Sequence, residues 1–90
     1  MQEELYKQLL DSVPERFKKD VEYEIDFNHM ELEPMTKEDF ILTCKWVLDS
    51  KKLHLRRVIQ NASMEFIENR NTELRELAEY IDKLEKGEIA

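Results

Sequence analysis

The sequence predicts an all-α fold: one domain over residues 1–90, built as a small bundle of four or five short helices. Three observations carry this. A single glycine and two prolines in 90 residues leave little turn chemistry for a β fold. Apolar residues recur at the i, i+3, i+4 spacing of a buried helical stripe. Residues suited to starting or stopping a helix stand between the stripes. Together they place helices at about 2–11, 13–28, 37–50, 53–68 and 72–86.

The first helix, 2–11, carries Leu5, Tyr6, Leu9 and Leu10 on one face. Ser12, Pro14 and Glu15 then resemble a fresh start, with Ser12 as N-cap, Glu15 as its capping-box partner and Pro14 tolerated in the first turn. The strongest local signal is Met35-Thr36-Lys37-Glu38-Asp39-Phe40. There Thr36 is a good N-cap, Glu38 and Asp39 suit the positive end of the helix dipole, and Met35 can staple onto Phe40. The helix that follows has the stripe Phe40, Ile41, Cys44, Val47 and Leu48, and its expected end near Ser50 is marked by Lys51 and Lys52, cations suited to C-terminal carbonyls. A fourth helix, 53–68, would carry Leu55, Ile59, Ala62 and Phe66. The register then slips near Asn69–Thr72, so a fifth helix is expected, capped by Asn71 or Thr72 and ended by Gly87. Its stripe Leu74, Leu77, Ile81 and Leu84 is longer than a core of this size is expected to cover, which predicts a homo-oligomer, most simply a two-fold dimer.

Residues 21–28 are open between helix and strand. Val21-Glu22-Tyr23-Glu24-Ile25-Asp26-Phe27 alternates with the period of a strand, yet acids are depleted in strands and no second strand is available to pair with it. As a helix, Phe17, Val21 and Ile25 share one stripe and Tyr23 and Phe27 another, and this reading is preferred. A strand here, followed by two helices, would resemble the order of ribbon-helix-helix repressors. Its groove-facing residues would then be Glu22, Glu24 and Asp26, which phosphates repel, so DNA is not an expected partner.

Charge is the chief functional clue. From Lys45 to Arg57, five cations (Lys45, Lys51, Lys52, Arg56, Arg57) stand against Asp49, giving +4; with a net charge of −7, the remaining residues carry −11. The stretch 20–39 alone holds eight acids against Lys37. Such asymmetry marks surfaces that meet charged partners. Tyr23, Phe27, Met30, Leu32 and Met35 add apolar anchors to the acidic stretch. The preferred function is a small acidic interaction or inhibitor module, of the kind bacteria and phages use as immunity proteins, antitoxins or enzyme inhibitors. It would bind another, basic protein through Glu22, Tyr23, Glu24, Asp26 and Phe27. The alternative is an anionic small ligand such as a nucleotide, held by Lys51, Lys52, His54, Arg56 and Arg57, with Trp46 available for stacking.

Other chemistries find little support. Cys44 is the only cysteine and lies among apolar residues, so it reads as core filler in a reducing, cytoplasmic setting. No run of 18 apolar residues and no signal-peptide pattern is present, so neither a membrane span nor secretion is expected. His29 with Asp26, Glu31 and Glu33 has metal-capable side chains but no paired-histidine or paired-cysteine spacing, and a metal site is not expected. No nucleophile–base set suggests an enzyme, and a phosphate loop built on glycines is ruled out by the lone Gly87. Asn61-Ala62-Ser63 fits the glycosylation triplet, which a cytoplasmic chain would not use.

Overall fold

Thr36 opens the central element of the molecule. Its Oγ1 accepts from the Asp39 amide at 3.1 Å, while its own amide donates to Asp39 Oδ2 at 3.3 Å, so the expected N-cap is half of a reciprocal capping box. The structure, a computed structural model, describes residues 2–28 and 36–89, with the side chains of 2, 3, 27 and 28 excepted. Within them lie α1 (Gln2–Ser12), a 3-10 turn (Glu15–Phe17), α2 (Lys18–Asn28), α3 (Lys37–Val58) and α4 (Met64–Glu85). Among the described residues there is no strand, and 21–28 is helical. The Met35 staple, the anchors Met30 and Leu32, and the His29, Glu31 and Glu33 set fall on 29–35 and lie outside the described residues.

The alternation in 21–27 has a helical explanation. Phe17, Val21 and Ile25 are spaced by four and are all buried, while Glu22, Tyr23 and Asp26 take the exposed arc. Apolar residues at odd positions satisfied two templates, and packing against α3 selects the helix.

Four boundaries differ from those expected. Ser12 does not cap the second helix. Its hydroxyl donates back to the Leu9 carbonyl at 2.5 Å and meets the Tyr80 hydroxyl at 2.6 Å, and the next turn starts after Pro14 with no side-chain cap. No break occurs at 50–53, so the helices expected at 37–50 and 53–68 do not exist as such. The chain runs on as α3 to Val58 and turns at 59–63. The next cap is Ser63, whose Oγ accepts from the Phe66 amide at 3.1 Å. Asn71 and Thr72 sit inside α4, where the Thr72 hydroxyl donates to the Glu68 carbonyl at 3.0 Å. Gly87 does end the helix. It adopts φ 75° and, with Glu88, returns amides to the Leu84 and Lys83 carbonyls at 3.2 and 3.0 Å, the paired bonds of a Schellman stop.

One core joins all four helices. Leu9 and Val13 come from the first segment, Phe17, Val21 and Ile25 from the second, Phe40, Cys44, Val47 and Leu48 from α3, and Leu77, Tyr80, Ile81 and Leu84 from α4. The core occupies only part of the α3–α4 hairpin. Beyond Leu48, α3 buries only Leu55 among its apolar residues, and α4 buries nothing before Leu77, so 50–58 and 64–73 form a two-helix extension. That overhang accounts for the register slip near 69–72: before it α4 meets α3 alone, and after it the full bundle. It also accounts for the elongated outline, 46 × 27 × 18 Å. Of the Leu74, Leu77, Ile81 and Leu84 stripe, on which the expectation of self-association rests, the chain's own helices bury the last three, and Leu74 is partly buried against the same core.

Leu77 is fully enclosed at 0% exposure, so Leu77→Ala is expected to lower unfolding free energy by about 3 kcal/mol through lost burial and a residual cavity. Thr36→Ala should remove about 1 kcal/mol with the capping box. Urea unfolding monitored by circular dichroism checks both, as midpoint shifts at unchanged slope.

Candidate functional site

The acidic residues expected to bind a partner all lie on α2, and the helix sorts them. Glu22 and Asp26, one turn apart, are exposed on the side facing α1. Their position is registered by Tyr6: burial first, then the Glu22 and Asp26 carboxylates, push its phenol above the ordinary 10.0. Tyr23 stands beside them at 67% exposure, the second most exposed large apolar side chain described. Glu24 turns toward α3 and is half-buried. With Asp20, Tyr23, Val47, Ser50 and Lys51 it lines a shallow groove of about 100 Å³. Phe27 belongs to α2, and its side chain lies outside the described residues. The arrangement is a convex acidic face with an aromatic ring at its centre. Among the described residues, the ion pairs of the fold do not engage Glu22 or Asp26.

The basic island is divided in the same way. Lys51 does not end a helix but lies inside α3, where it bonds Asp20 Oδ2 at 3.0 Å and sits 5.6 Å from the centre of the Phe17 ring, with only 18% of its side chain exposed. Lys45 pairs with Glu85 at 3.3 Å. Lys52 and Arg56, four residues apart, share one exposed side, whereas His54 is set across the helix from them and Arg57 lies between. The five residues of the alternative anion site therefore spread around a convex helix, and Lys51, already paired with Asp20, is the one of the five that lines any of three grooves found among the described residues. Those grooves are the α2–α3 groove above, one at the α3–α4 turn lined by Val58, Asn61, Ala62, Ser63 and Phe66, and one beside the start of α3 lined by Glu38, Ile41, Leu42, Lys45 and Glu85. Among the described residues, no three His, Cys, Asp or Glu side chains are grouped as metal ligands, and no helix is long and apolar enough to cross a membrane.

Two features escaped the sequence reading. Tyr80 is buried, and its hydroxyl meets both the Leu9 carbonyl at 3.1 Å and Ser12 Oγ. Its place three residues after Leu77 and four before Leu84 puts it on the core face, which was the available signal. The second is an exposed apolar line on α3, Leu42, Trp46 and Leu53, at 45, 40 and 48% exposure. Comparison of the chain with protein-family models, curated proteins and solved structures finds no match.

Cys44 is fully enclosed, and burial pushes its thiol from 9.0 up to about 12. Burial also pushes the Tyr80 phenol from 10.0 to about 12, offset in part by the Ser12 hydrogen bond and reinforced by Cys44. Both groups are neutral in the folded state where the unfolded chain would ionise. Their contribution is complete below about pH 9 and is lost as pH rises through about 12. Chemical unfolding between these limits should show stability falling with pH, less steeply for Cys44→Ala, and alkylation of Cys44 at pH 8 should proceed only on unfolding.

Proposed function

We propose that this chain is a binding module that engages a basic protein through the outer face of α2, in the manner of a small inhibitor, antitoxin or immunity protein. The observation that carries the reading is the exposed Tyr23 ring flanked by Glu22 and Asp26. An arginine or lysine of the partner can stack on the ring while pairing with a carboxylate, a combination of desolvated anchor and charge that interfaces favour. The surrounding acids steer the encounter, because complementary fields act mainly on the association rate. The action proposed is binding and not catalysis. The cytoplasm is the proposed compartment, since the lone buried Cys44 is compatible with a reducing environment.

The dispersed basic residues favour this reading over capture of a nucleotide. Immobilised chain should retain basic proteins from lysate of the source cells at low salt and release them as salt rises. The charge-reversed variant Glu22→Lys with Asp26→Lys should lose that retention while keeping its circular dichroism spectrum. Retention unchanged by the reversal would remove the proposed face from consideration. In a parallel thermal-shift panel, stabilisation by one nucleotide that disappears with Arg56→Ala would establish the anion reading instead.

A further inference from the structure

The side of α3 turned away from the core carries a line of apolar side chains that the chain's own fold leaves in solvent. Leu42, Trp46 and Leu53 fall within a narrow arc of the helix, and they are half of the six large apolar residues that stand exposed among the described residues. The charges beside this line are arranged with a reversal symmetry. Glu38 lies nine positions before Val47 and Arg56 nine after it, Lys45 two before and Asp49 two after, and Leu42 five before and Leu53 six after. All four charged residues are exposed. We infer that this face is an interface with a second copy of the chain, the two α3 helices packing antiparallel about a two-fold axis that crosses the exposed side of the helix at the level of residue 47.

The symmetry specifies the partner and its direction. Laid antiparallel, each Glu38 meets the partner's Arg56, each Leu42 faces the partner's Leu53, and each Lys45, while paired with Glu85 of its own chain at 3.3 Å, lies opposite the partner's Asp49, with the two Trp46 rings adjacent at the centre. Laid parallel, Glu38 would face Glu38 and Arg56 would face Arg56, a like-charge arrangement at both ends. The groove beside the start of α3 supports the same occupant. Its lining, Ile41 and Leu42 with the acids Glu38 and Glu85 and the cation Lys45, presents an apolar floor with more acid than base at the rim. Leu53 followed by Arg56 on the partner supplies an apolar side chain and a cation one turn apart. The α2 face is untouched by this packing, because α2 meets α3 on the side of Val47 and Lys51, away from the Leu42–Trp46–Leu53 line. The dimer would thus present two acidic faces. A single helix face offers less area than a standard interface, which sets the expected dissociation constant in the micromolar range.

Sedimentation equilibrium of the full chain tests this. The expected result is a concentration-dependent shift from 10.9 kDa to twice that mass, accompanied by a blue shift of emission from Trp46, the only tryptophan. Leu53→Glu, at a position exposed in the single chain, should weaken the dimer more than about 30-fold, the loss of a hot-spot side chain, with helix content unchanged. Glu38→Arg and Arg56→Glu should each weaken it, and the two together in one chain should restore most of the affinity by re-forming both pairs with signs exchanged. A monomer at every concentration, or a dimer indifferent to Leu53→Glu, overturns the interface. A double charge exchange weaker than either single one overturns the antiparallel direction.

Discussion

The fold depends on α3 running without a break from Lys37 to Val58, about 33 Å at 1.5 Å per residue. Both α2 and α4 pack along it, and the buried residues Phe40, Cys44, Val47 and Leu48 supply the part of the core that the others share. The difficult position is Lys51, which falls on the inward side of this helix. A charge there would be costly if left alone. It is accommodated because the ammonium stands over the Phe17 ring, 5.6 Å from its centre, and reaches Asp20 on α2. The same cation that suggested a helix end by its chemistry becomes the tie between two helices, and α3 is free to continue.

That tie is also part of how the charge of the chain is distributed. Lys45 to Glu85 and Arg16 to Glu76 join separate elements, while Lys18 to Glu15, Arg70 to Glu73 and Lys86 to Asp82 are local pairs. Exposed pairs of this kind add little stability individually. Their larger effect is to decide where charge stays uncompensated. Two of the five cations of the basic stretch are spent within the fold, whereas Glu22 and Asp26 on α2 are not drawn into these pairs. The acidic face thus retains more of its sequence-level charge than the basic one.

The sequence was legible where one local rule dominated. Thr36 with Asp39, the Phe17, Val21 and Ile25 stripe, and Gly87 at the end of α4 each needed only neighbours within a turn or two to declare themselves. It misled where tertiary contacts overrode a local preference. Lysines 51 and 52 suit a helix terminus, but Asp20 and Phe17, on the preceding helical segment, hold Lys51 inside one. Ser12 suits an N-cap, but Tyr80 engages it from the far end of the chain. The slip near Asn69–Thr72 was a real feature wrongly explained: it marks the level at which α4 enters the full bundle, not a break in the helix. For the candidate site, residue identities could be read from the charge pattern. Their convergence could not, because the same basic residues make a pocket or a scattered surface depending on a helix phase set by packing.

The polar clasp between Tyr80, Leu9 and Ser12 joins residues 68 and 71 positions apart. Most other contacts that hold the bundle link elements close in sequence, and α3 with α4 forms a hairpin around a short turn. Closing the largest loop carries the largest entropic penalty, so α1 gains its full attachment only once α4 is in place. The amino-terminal helix is then the segment whose release disturbs the rest least. Its amides would exchange with solvent through a partial opening, one that leaves the α3–α4 hairpin intact as a separate cooperative unit.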